Sequence, residues 1–216
     1  MTIISTVFVP EGIAMAADSR LTYQLERNGR IETFPITDNA QKLVLLRGES
    51  VGISFCGEAI IEGKTISDYL RIFDIEKVDI DDSVEAIAYK LHEYLGANLG
   101  IAAFFIAGFD NDEPYVYEVG VDVIRKNIND DNTLYNGCAW HGEQDAINRL
   151  ILSEPITPFA FDLMPLKDAV DMAEFLIKLT IDFNRFADVL PTCGGEIDLL
   201  VITKDYTKFI KHKLLL

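Results

Sequence analysis

Cysteine is scarce in this sequence of 216 residues. The three cysteines, Cys56, Cys138 and Cys193, are an odd number, and no two of them form a CxxC pair. This spacing argues against a zinc site and against a disulfide framework, and it is typical of proteins of the reducing cytoplasm. We therefore expect a cytoplasmic protein that uses no disulfide, no metal and no other cofactor.

Two further absences exclude nucleic acids and membranes as expected partners. The chain carries 19 lysines and arginines against 35 aspartates and glutamates, a formal net charge of −16, which phosphate backbones would repel. No apolar run reaches about 18 residues, and no basic stretch followed by an apolar one opens the chain. We expect neither a membrane span nor a signal peptide.

The remaining composition is typical of a folded globular protein, with 49% apolar and 25% charged residues. No internal repeat or domain boundary is visible, so we predict a single domain over residues 1–216. Strand hairpins are expected at both ends, and the polar stretch 21–41 contains a hairpin-turn signal at Asn28-Gly29. Helical periodicity is found over about 59–73, 83–99, 143–152 and 166–186. This order favours an α+β fold, a four-layer αββα sandwich of two antiparallel sheets flanked by helices.

The first twenty residues carry the most informative pattern. Two short apolar strands flank a turn at Pro10-Glu11-Gly12, and the second strand runs directly into Asp18-Ser19-Arg20. An unpaired charge is very unfavourable in a core, so Asp18 and Arg20 lie at the rim, are paired, or belong to a site. A strand that simply reaches the surface would explain the same spacing.

This stretch resembles the beginning of proteasome-type β subunits and of their bacterial relatives, which are N-terminal nucleophile (Ntn) hydrolases. Those relatives are the peptidase of the two-component ATP-dependent protease and the ancestral proteasome-like protein. In that family sixteen residues separate the nucleophilic threonine from an aspartate, as sixteen separate Thr2 from Asp18 here. Further short matches are spread over nearly the whole chain: QKLV at 41–44, SFCG at 54–57 and GGEIDLLVIT at 194–203.

The resemblance implies that Thr2 is the nucleophile and that it becomes N-terminal when Met1 is removed. An N-terminal threonine carries its own base, because an α-amino group has a pKa of about 7.7–8.0 and is partly neutral at pH 7. That amine takes the proton from the threonine Oγ, directly or through one water. Considered by itself, a threonine at position 2 is more simply a residue of an ordinary first strand.

The resemblance also assigns supporting roles to Lys42, Asp18 and Gly57. Lys42 would lower the pKa of the Thr2 amine and stabilise negative charge on Oγ, while Asp18 would keep Lys42 charged and oriented. Gly57 would donate its N–H to an oxyanion from the N-terminus of the helix predicted to follow it. Each residue also has a simpler explanation, as a solvated strand end, a turn residue and a turn glycine respectively.

Two segments depart from the family pattern. Leu190 and Cys193 stand where the family has an aspartate and a serine that support the amine. Within Gly137-Cys138-Ala139, a cysteine replaces the serine of a second supporting loop. The groups around a site often decide whether it works, so these replacements bear on activity. A pair of His141 with Cys138 or Asp145 is a weaker alternative site.

Together these residues predict a threonine-type endopeptidase that hydrolyses peptide bonds in intracellular protein breakdown. The alternative is a catalytically inactive structural or assembly protein with the same fold. Apolar residues on more than one side of the segment 59–99, such as Ile75 and Tyr89, are expected at contacts within a homo-oligomeric ring. Peptides or unfolded proteins are the expected substrates, and an ATPase unfoldase is a conceivable partner.

Overall fold

The computed structural model describes residues 2–27, 29–155, 158–188 and 190–215. Met1, whose removal the resemblance implies, lies outside the described residues, and so does Asn28 of the expected Asn28-Gly29 turn. The strands, in chain order, are β1 (Ile3–Val9), β2 (Gly12–Ala17), β3 (Leu21–Arg27), β4 (Arg30–Thr37), β5 (Leu43–Leu46), β6 (Val51–Gly57), β7 (Ile60–Ile61), β8 (Lys64–Thr65), β9 (Ala102–Asp110), β10 (Glu113–Val119), β11 (Val123–Arg125), β12 (Gly137–Gly142), β13 (Asp198–Ile202) and β14 (Thr207–Lys211).

Two five-stranded antiparallel sheets form the centre of the molecule. The first sheet has the strand order β12-β1-β2-β13-β14, and the second has the order β11-β10-β9-β6-β5. The remaining strands pair as two hairpins, β3 with β4 and β7 with β8. Every residue of β1 and β2 is buried, because both strands have neighbours on each side and packed layers on each face. The first strand therefore starts deep inside the protein.

Four α-helices are found in the described residues: α1 (Ile66–Lys77), α2 (Val84–Leu95), α3 (Asp145–Ile151) and α4 (Leu166–Phe186). The longest, α4, coincides with the predicted helix 166–186. The helix α2 starts where its sequence predicts, because the Ser83 side chain caps it by accepting the Ala86 N–H at 3.0 Å. None of these helices is long and apolar enough to cross a membrane.

The predicted helix 59–73 is wrong in its first turns. The residues before Ile66 form the β7–β8 hairpin, whose turn residues Glu62 and Gly63 have φ angles of 51° and 76°. Such left-handed angles end regular structure and suit a tight hairpin turn. The helix begins after Thr65, whose hydroxyl accepts the Asp68 N–H at 3.2 Å. Gly57 is therefore not at a helix N-terminus, contrary to the expectation.

Three clusters of buried apolar residues connect the sheets and helices. One lies between the second sheet and α1 and α2, a second lies between the first sheet and α3 and α4, and a third lies between the two sheets. Representative residues of the three clusters are Phe73, Leu91 and Phe104; Ile3, Ile147 and Leu176; and Ile4, Phe105 and Leu200. The mixed α and β fold with antiparallel sheets is confirmed, and the single domain over 1–216 stays a prediction.

The close approach of the two sheets at Gly52 yields a stability prediction. A Cβ at Gly52 would lie 2.6 Å from Leu200 Cδ2 and 2.9 Å from Met15 Sδ, both in the cluster between the sheets. We expect Gly52→Ala to lower the free energy of unfolding by about 1–3 kcal/mol through overpacking. Gly120→Ala is the matched control, because a Cβ there meets nothing within 4 Å. Urea unfolding should separate the two variants, and equal stabilities would contradict the packing between the sheets.

Candidate active site

Thr2 stands immediately before β1 and is 6% exposed. Its carbonyl oxygen accepts the Glu143 N–H at 2.9 Å, so the β1–β12 ladder continues one rung beyond the pair Ile3–Gly142. Side chains alternate along a strand, so Thr2 lies on the same face as Ile4, which packs between the two sheets. The Thr2 side chain therefore faces the second sheet, and Thr2 lines a groove of about 1030 Å³.

Asp18, just after β2, is fully buried and accepts four hydrogen bonds. Oδ1 accepts the Ile3 N–H at 3.1 Å and the Lys42 Nζ at 2.8 Å. Oδ2 accepts the Arg20 N–H at 3.2 Å and the Gly194 N–H at 3.0 Å. Of the three expected situations for this carboxylate, the structure shows a buried and paired one. Through Ile3, the carboxylate holds the residue that follows Thr2.

Lys42 precedes β5 and is 2% exposed, so it is not the solvated strand end that its sequence position allowed. Its Nζ donates to Asp18 Oδ1 at 2.8 Å and to the Arg20 carbonyl at 2.5 Å. An ammonium group has three N–H donors, and these contacts use two of them. The described residues supply no partner for the third donor.

Gly57 ends β6 with a φ of 124°, and a Cβ there would lie 2.5 Å from the Ile101 carbonyl oxygen. Only glycine fits this position. The direction of its N–H follows from its neighbours: Glu58 N–H donates to the carbonyl of Ile101, just before β9, while Phe55 N–H donates to the carbonyl of Lys42 on the opposite side. Because N–H directions alternate along a strand, the Gly57 N–H points as Phe55 does, to the side of β6 where Lys42 lies.

Gly57 and Thr2 both line the groove, whose ionisable lining is mostly acidic. Three carboxylates, Glu58, Glu118 and Asp122, border it together with His141. Its other lining residues are largely small or apolar. The structure thus brings three of the four predicted site residues, Thr2, Asp18 and Lys42, into a connected set through Ile3, and it brings Gly57 to the same groove.

The segment 191–196 closes over the end of β2. Arg20 donates from Nε and Nη2 to the two oxygens of Asp38 at 2.7 and 2.9 Å, and from Nη1 to the Pro191 carbonyl at 3.1 Å. The hydrogen bond from Arg20 lowers the pKa of Asp38. A Cβ at Gly194 would lie 2.7 Å from Arg20 Cζ, so a larger residue there would displace this guanidinium from its present position. The Ser19 hydroxyl donates to the Glu196 carbonyl at 2.6 Å.

The two replaced residues before the last hairpin have different surroundings. Cys193 is 1% exposed, and burial raises the pKa of its thiol well above the usual range, with the charge of Asp18 acting in the same direction. A neutral thiol therefore lies beside the Asp18–Lys42 pair. Leu190 is 45% exposed.

The segment Gly137-Cys138-Ala139, expected to support the Thr2 amine, does not lie beside Thr2. Cys138 pairs with Val7 in the β1–β12 ladder, five residues along β1 from Thr2, which is about 16–17 Å. The residues beside Thr2 are instead Gly142 and Glu143, and a Cβ at Gly142 would lie 1.9 Å from the Thr2 carbonyl oxygen. Sequence reasoning missed Glu143 because nothing in a single sequence reports the register of β12 against β1.

His141 has a partner that the sequence did not indicate. Its Nδ1 lies 3.3 Å from Cys56 Sγ, and its Nε2 lies 3.8 Å from a Glu118 carboxylate oxygen. In the described part of the chain, no hydrogen bond or ion pair joins His141 to the expected partners Cys138 and Asp145. Burial raises the pKa of the Cys56 thiol to about 12, so the thiolate that a cysteine nucleophile requires is strongly disfavoured at neutral pH. The geometry of the pair resembles that of a Cys–His dyad, but its thiol is protonated at neutral pH, whereas a catalytic dyad needs a thiolate.

Comparisons with known proteins identify a fold and no closer relationship. No family model and no curated protein matches the sequence. Among solved structures, the chain is similar to the Gly-1 mutant of Anbu, a proteasome-like protein, from Hyphomicrobium sp. strain MC1, with a TM-score of 0.64 and 17% identity. The alignment covers 98% of this chain and 85% of that one. At this identity the likeness concerns the fold alone.

The expected membership in the family of proteasome-type β subunits is therefore corrected. The short matches at 41–44, 54–57 and 194–203 suggested a family relationship, but no family model recognises the chain. Short motifs of strand ends and glycines occur in many folds for reasons of backbone geometry, so these matches do not establish a family relationship. What remains is a fold like that of a proteasome-like protein.

The buried Asp18–Lys42 pair generates a second stability prediction. Asp18→Asn leaves the Lys42 ammonium buried without its counterion, so we expect a loss of about 3–5 kcal/mol in the free energy of unfolding. The double variant Asp18→Asn with Lys42→Met removes both charges and should recover a substantial part of that loss.

The matched control for this prediction is Asp38→Asn, which breaks the partly exposed pair with Arg20 and should cost about 1 kcal/mol or less. Urea unfolding of the four proteins gives the comparison. Similar losses for Asp18→Asn and Asp38→Asn would contradict the buried ion pair.

Proposed function

We propose that this protein hydrolyses peptide bonds as a threonine-type hydrolase, with Thr2 as an N-terminal nucleophile after the residue before it is removed. One observation carries the proposal. A single oxygen of the buried Asp18 carboxylate accepts both the Lys42 Nζ and the N–H of Ile3, the residue next to Thr2. A buried ammonium is thereby held beside the start of β1, next to the residue that follows Thr2, and Thr2 itself lines the groove.

The proposed reaction begins with proton transfer from Thr2 Oγ to the free α-amine. The amine has an ordinary pKa of about 7.7–8.0, so a useful fraction is neutral at pH 7. The positive charge of Lys42 favours the neutral amine and also favours negative charge on Oγ. The third N–H of Lys42 is available for that interaction.

Attack of Oγ on a substrate carbonyl forms a carbon–oxygen bond and moves the carbonyl electron pair onto oxygen. The Gly57 N–H points to the Lys42 side of β6 and is the proposed donor to this oxyanion. When the intermediate collapses, the carbon–nitrogen bond breaks and the ammonium of Thr2 returns its proton to the leaving amine. Water then hydrolyses the Thr2 ester, with the amine acting as base again.

Cys56 is the competing nucleophile, because its sulfur lies beside His141 in the same groove. The pKa of about 12 argues against it, since ionising this buried thiol at neutral pH is unfavourable. His141 is also not held by a close carboxylate hydrogen bond, as its distance to Glu118 is 3.8 Å. The threonine mechanism requires neither an ionised thiol nor a histidine held by a carboxylate.

We further propose that the two sheets and the helices form the αββα sandwich and that the chain assembles into a homo-oligomeric ring. Ile75 and Ile80, in and after α1, are 83% and 71% exposed, and Tyr89 of α2 is 55% exposed. Apolar surface of this kind is expected at subunit contacts. The proposed setting is the cytoplasm, with peptides or unfolded proteins as substrates and an ATPase unfoldase as a further partner.

The proposal predicts that activity depends on a free Thr2 amine. A form processed to begin at Thr2 should cleave fluorogenic peptides and be labelled by an epoxyketone, which needs both Oγ and the amine. A form that keeps a few residues before Thr2 should be folded and inactive, because its nitrogen is an amide rather than a base. Peptidase rates and intact mass after labelling provide the measurements.

Two variants of the processed form complete this test. Thr2→Ala should lose all hydrolysis, whereas Cys56→Ser should keep most of it. Equal peptidase rates from the processed and extended forms would contradict the threonine mechanism. Loss of activity in Cys56→Ser alone would transfer the role of nucleophile to Cys56. A processed, folded and inactive protein would favour the structural alternative.

The ring is tested by light scattering at physiological ionic strength, where we expect a closed species of six or seven subunits, with or without stacking into two rings. Because the net charge is −16, assembly should weaken at low ionic strength, where repulsion is less screened. Ile75→Glu should dissociate the ring. Leu163→Glu is the control, since Leu163 is equally exposed at 84% but lies beside α4. A monomer at physiological salt would rule the ring out.

A further inference from the structure

We infer that Glu143 is a positioning residue for the Thr2 α-amine: its carboxylate holds that amine and raises the pH at which the amine becomes a base. The inference rests on the proposed function of Thr2 as an N-terminal nucleophile, and it goes beyond it by assigning the amine a specific partner. Neither Asp18 nor Lys42 is this partner.

The β-ladder decides which neighbouring strand the Thr2 nitrogen faces. In an antiparallel ladder the N–H and C=O of one residue point to the same neighbouring strand, and this direction alternates from residue to residue. The N–H of Ile3 donates to Asp18 Oδ1, and its carbonyl accepts the Asp18 N–H at 3.3 Å, so Ile3 points to β2. The backbone groups of Thr2 point the opposite way, to the β12 side, because the Thr2 carbonyl accepts the Glu143 N–H at 2.9 Å. The Thr2 nitrogen therefore points toward the backbone of Glu143 and turns away from Asp18. Because directly opposed residues carry their side chains on the same face of a sheet, the Glu143 side chain is on the same face as that of Thr2.

The Glu143 carboxylate has room for a further donor. Its Oε2 accepts the Thr192 hydroxyl at 3.4 Å, which is a long hydrogen bond, and a carboxylate offers about four acceptor positions. Glu143 itself is half-buried, while Thr192 is 7% exposed. An ammonium group in the place of the Thr2 amide would present new donors on the side where this carboxylate lies.

A short segment links Glu143 to the Asp18–Lys42 pair. Thr192 holds the Glu143 carboxylate, and Gly194 two residues later donates its N–H to Asp18 Oδ2 at 3.0 Å. The intervening Cys193 is buried, and the charges of both Asp18 and Glu143 raise the pKa of its thiol. Glu143 thus belongs to the same electrostatic environment as the predicted site residues, although no sequence motif includes it.

The charged and titratable groups around the Thr2 nitrogen act in opposite directions. Lys42 lowers the pKa of the amine, whereas the carboxylates of Asp18 and Glu143 raise it. Three further titratable groups lie nearby: His141 and Cys56 line the groove together with Thr2, and Cys193 interacts with Asp18 and Glu143. The thiols of Cys56 and Cys193 are neutral at pH 7 because burial raises the pKa of each. Removing the Glu143 charge should therefore lower the pKa of the amine.

The experiment measures the amine directly and the reaction separately. The processed protein with ¹⁵N-labelled Thr2 is titrated by NMR, and the pH dependence of kcat/KM for a fluorogenic peptide is recorded in parallel. We expect Glu143→Gln to lower the amine pKa by about 0.5–1 unit and to shift the basic limb of the pH–rate profile equally. Glu143→Asp should retain part of the effect. Thr192→Val, which releases the carboxylate, should give a smaller shift of the same sign.

Asp122→Asn is the control for general electrostatics, because Asp122 lines the same groove and should leave the amine pKa unchanged. An amine pKa that is the same in the parent protein and in Glu143→Gln would overturn the inference, as would equal shifts in Glu143→Gln and Asp122→Asn. Thr192→Val provides the same comparison where Glu143→Gln does not fold. The NMR titration reports on the amine even in a protein that hydrolyses nothing, so failure of the proposed function is distinguishable from failure of this inference.

Discussion

The buried ion pair between Asp18 and Lys42 is the interaction on which the surrounding structure depends. A charge in a protein interior is tolerated only when its hydrogen-bonding capacity is satisfied. Asp18 meets this condition with four donors, three of which are backbone N–H groups of Ile3, Arg20 and Gly194. Backbone donors cannot be moved independently of the chain. The carboxylate therefore fixes the start of β1, the end of β2 and the loop before β13 relative to one another.

This constraint explains why residues far apart in the sequence have narrow requirements. A side chain at Gly194 would displace the Arg20 guanidinium, and Arg20 in turn holds Asp38 and the Pro191 carbonyl. Gly57 must be glycine because of its φ of 124° and the nearby Ile101 carbonyl. The groove that Thr2 and Gly57 line lies at the start of the first strand, close to these positions.

The fold and part of the site could be predicted from the sequence. Apolar periodicity located α4 and α2 because each has one buried face and a clear boundary. Asp18, Lys42 and Gly57 were predicted as site residues from the resemblance of short motifs to proteasome-type β subunits, because each residue by itself has an ordinary explanation at a strand end or turn. The helix expected from 59 was wrong because periodicity does not report the left-handed turn at Glu62-Gly63. The loop predicted at Cys138 was wrong because a short local match does not define strand register.

The sequence by itself determined the mixture of antiparallel strands and helices and the position of a charged residue at the end of β2, since both follow from local patterns of apolar and polar residues. Only the tertiary structure decided which groups meet. The partner of His141 is Cys56 rather than Cys138, and the residue that faces the Thr2 nitrogen is Glu143 rather than Asp18. The physical reason is the alternation of the antiparallel ladder. A shift of one residue in register exchanges the neighbours of every backbone group, and a single sequence contains no measure of that register.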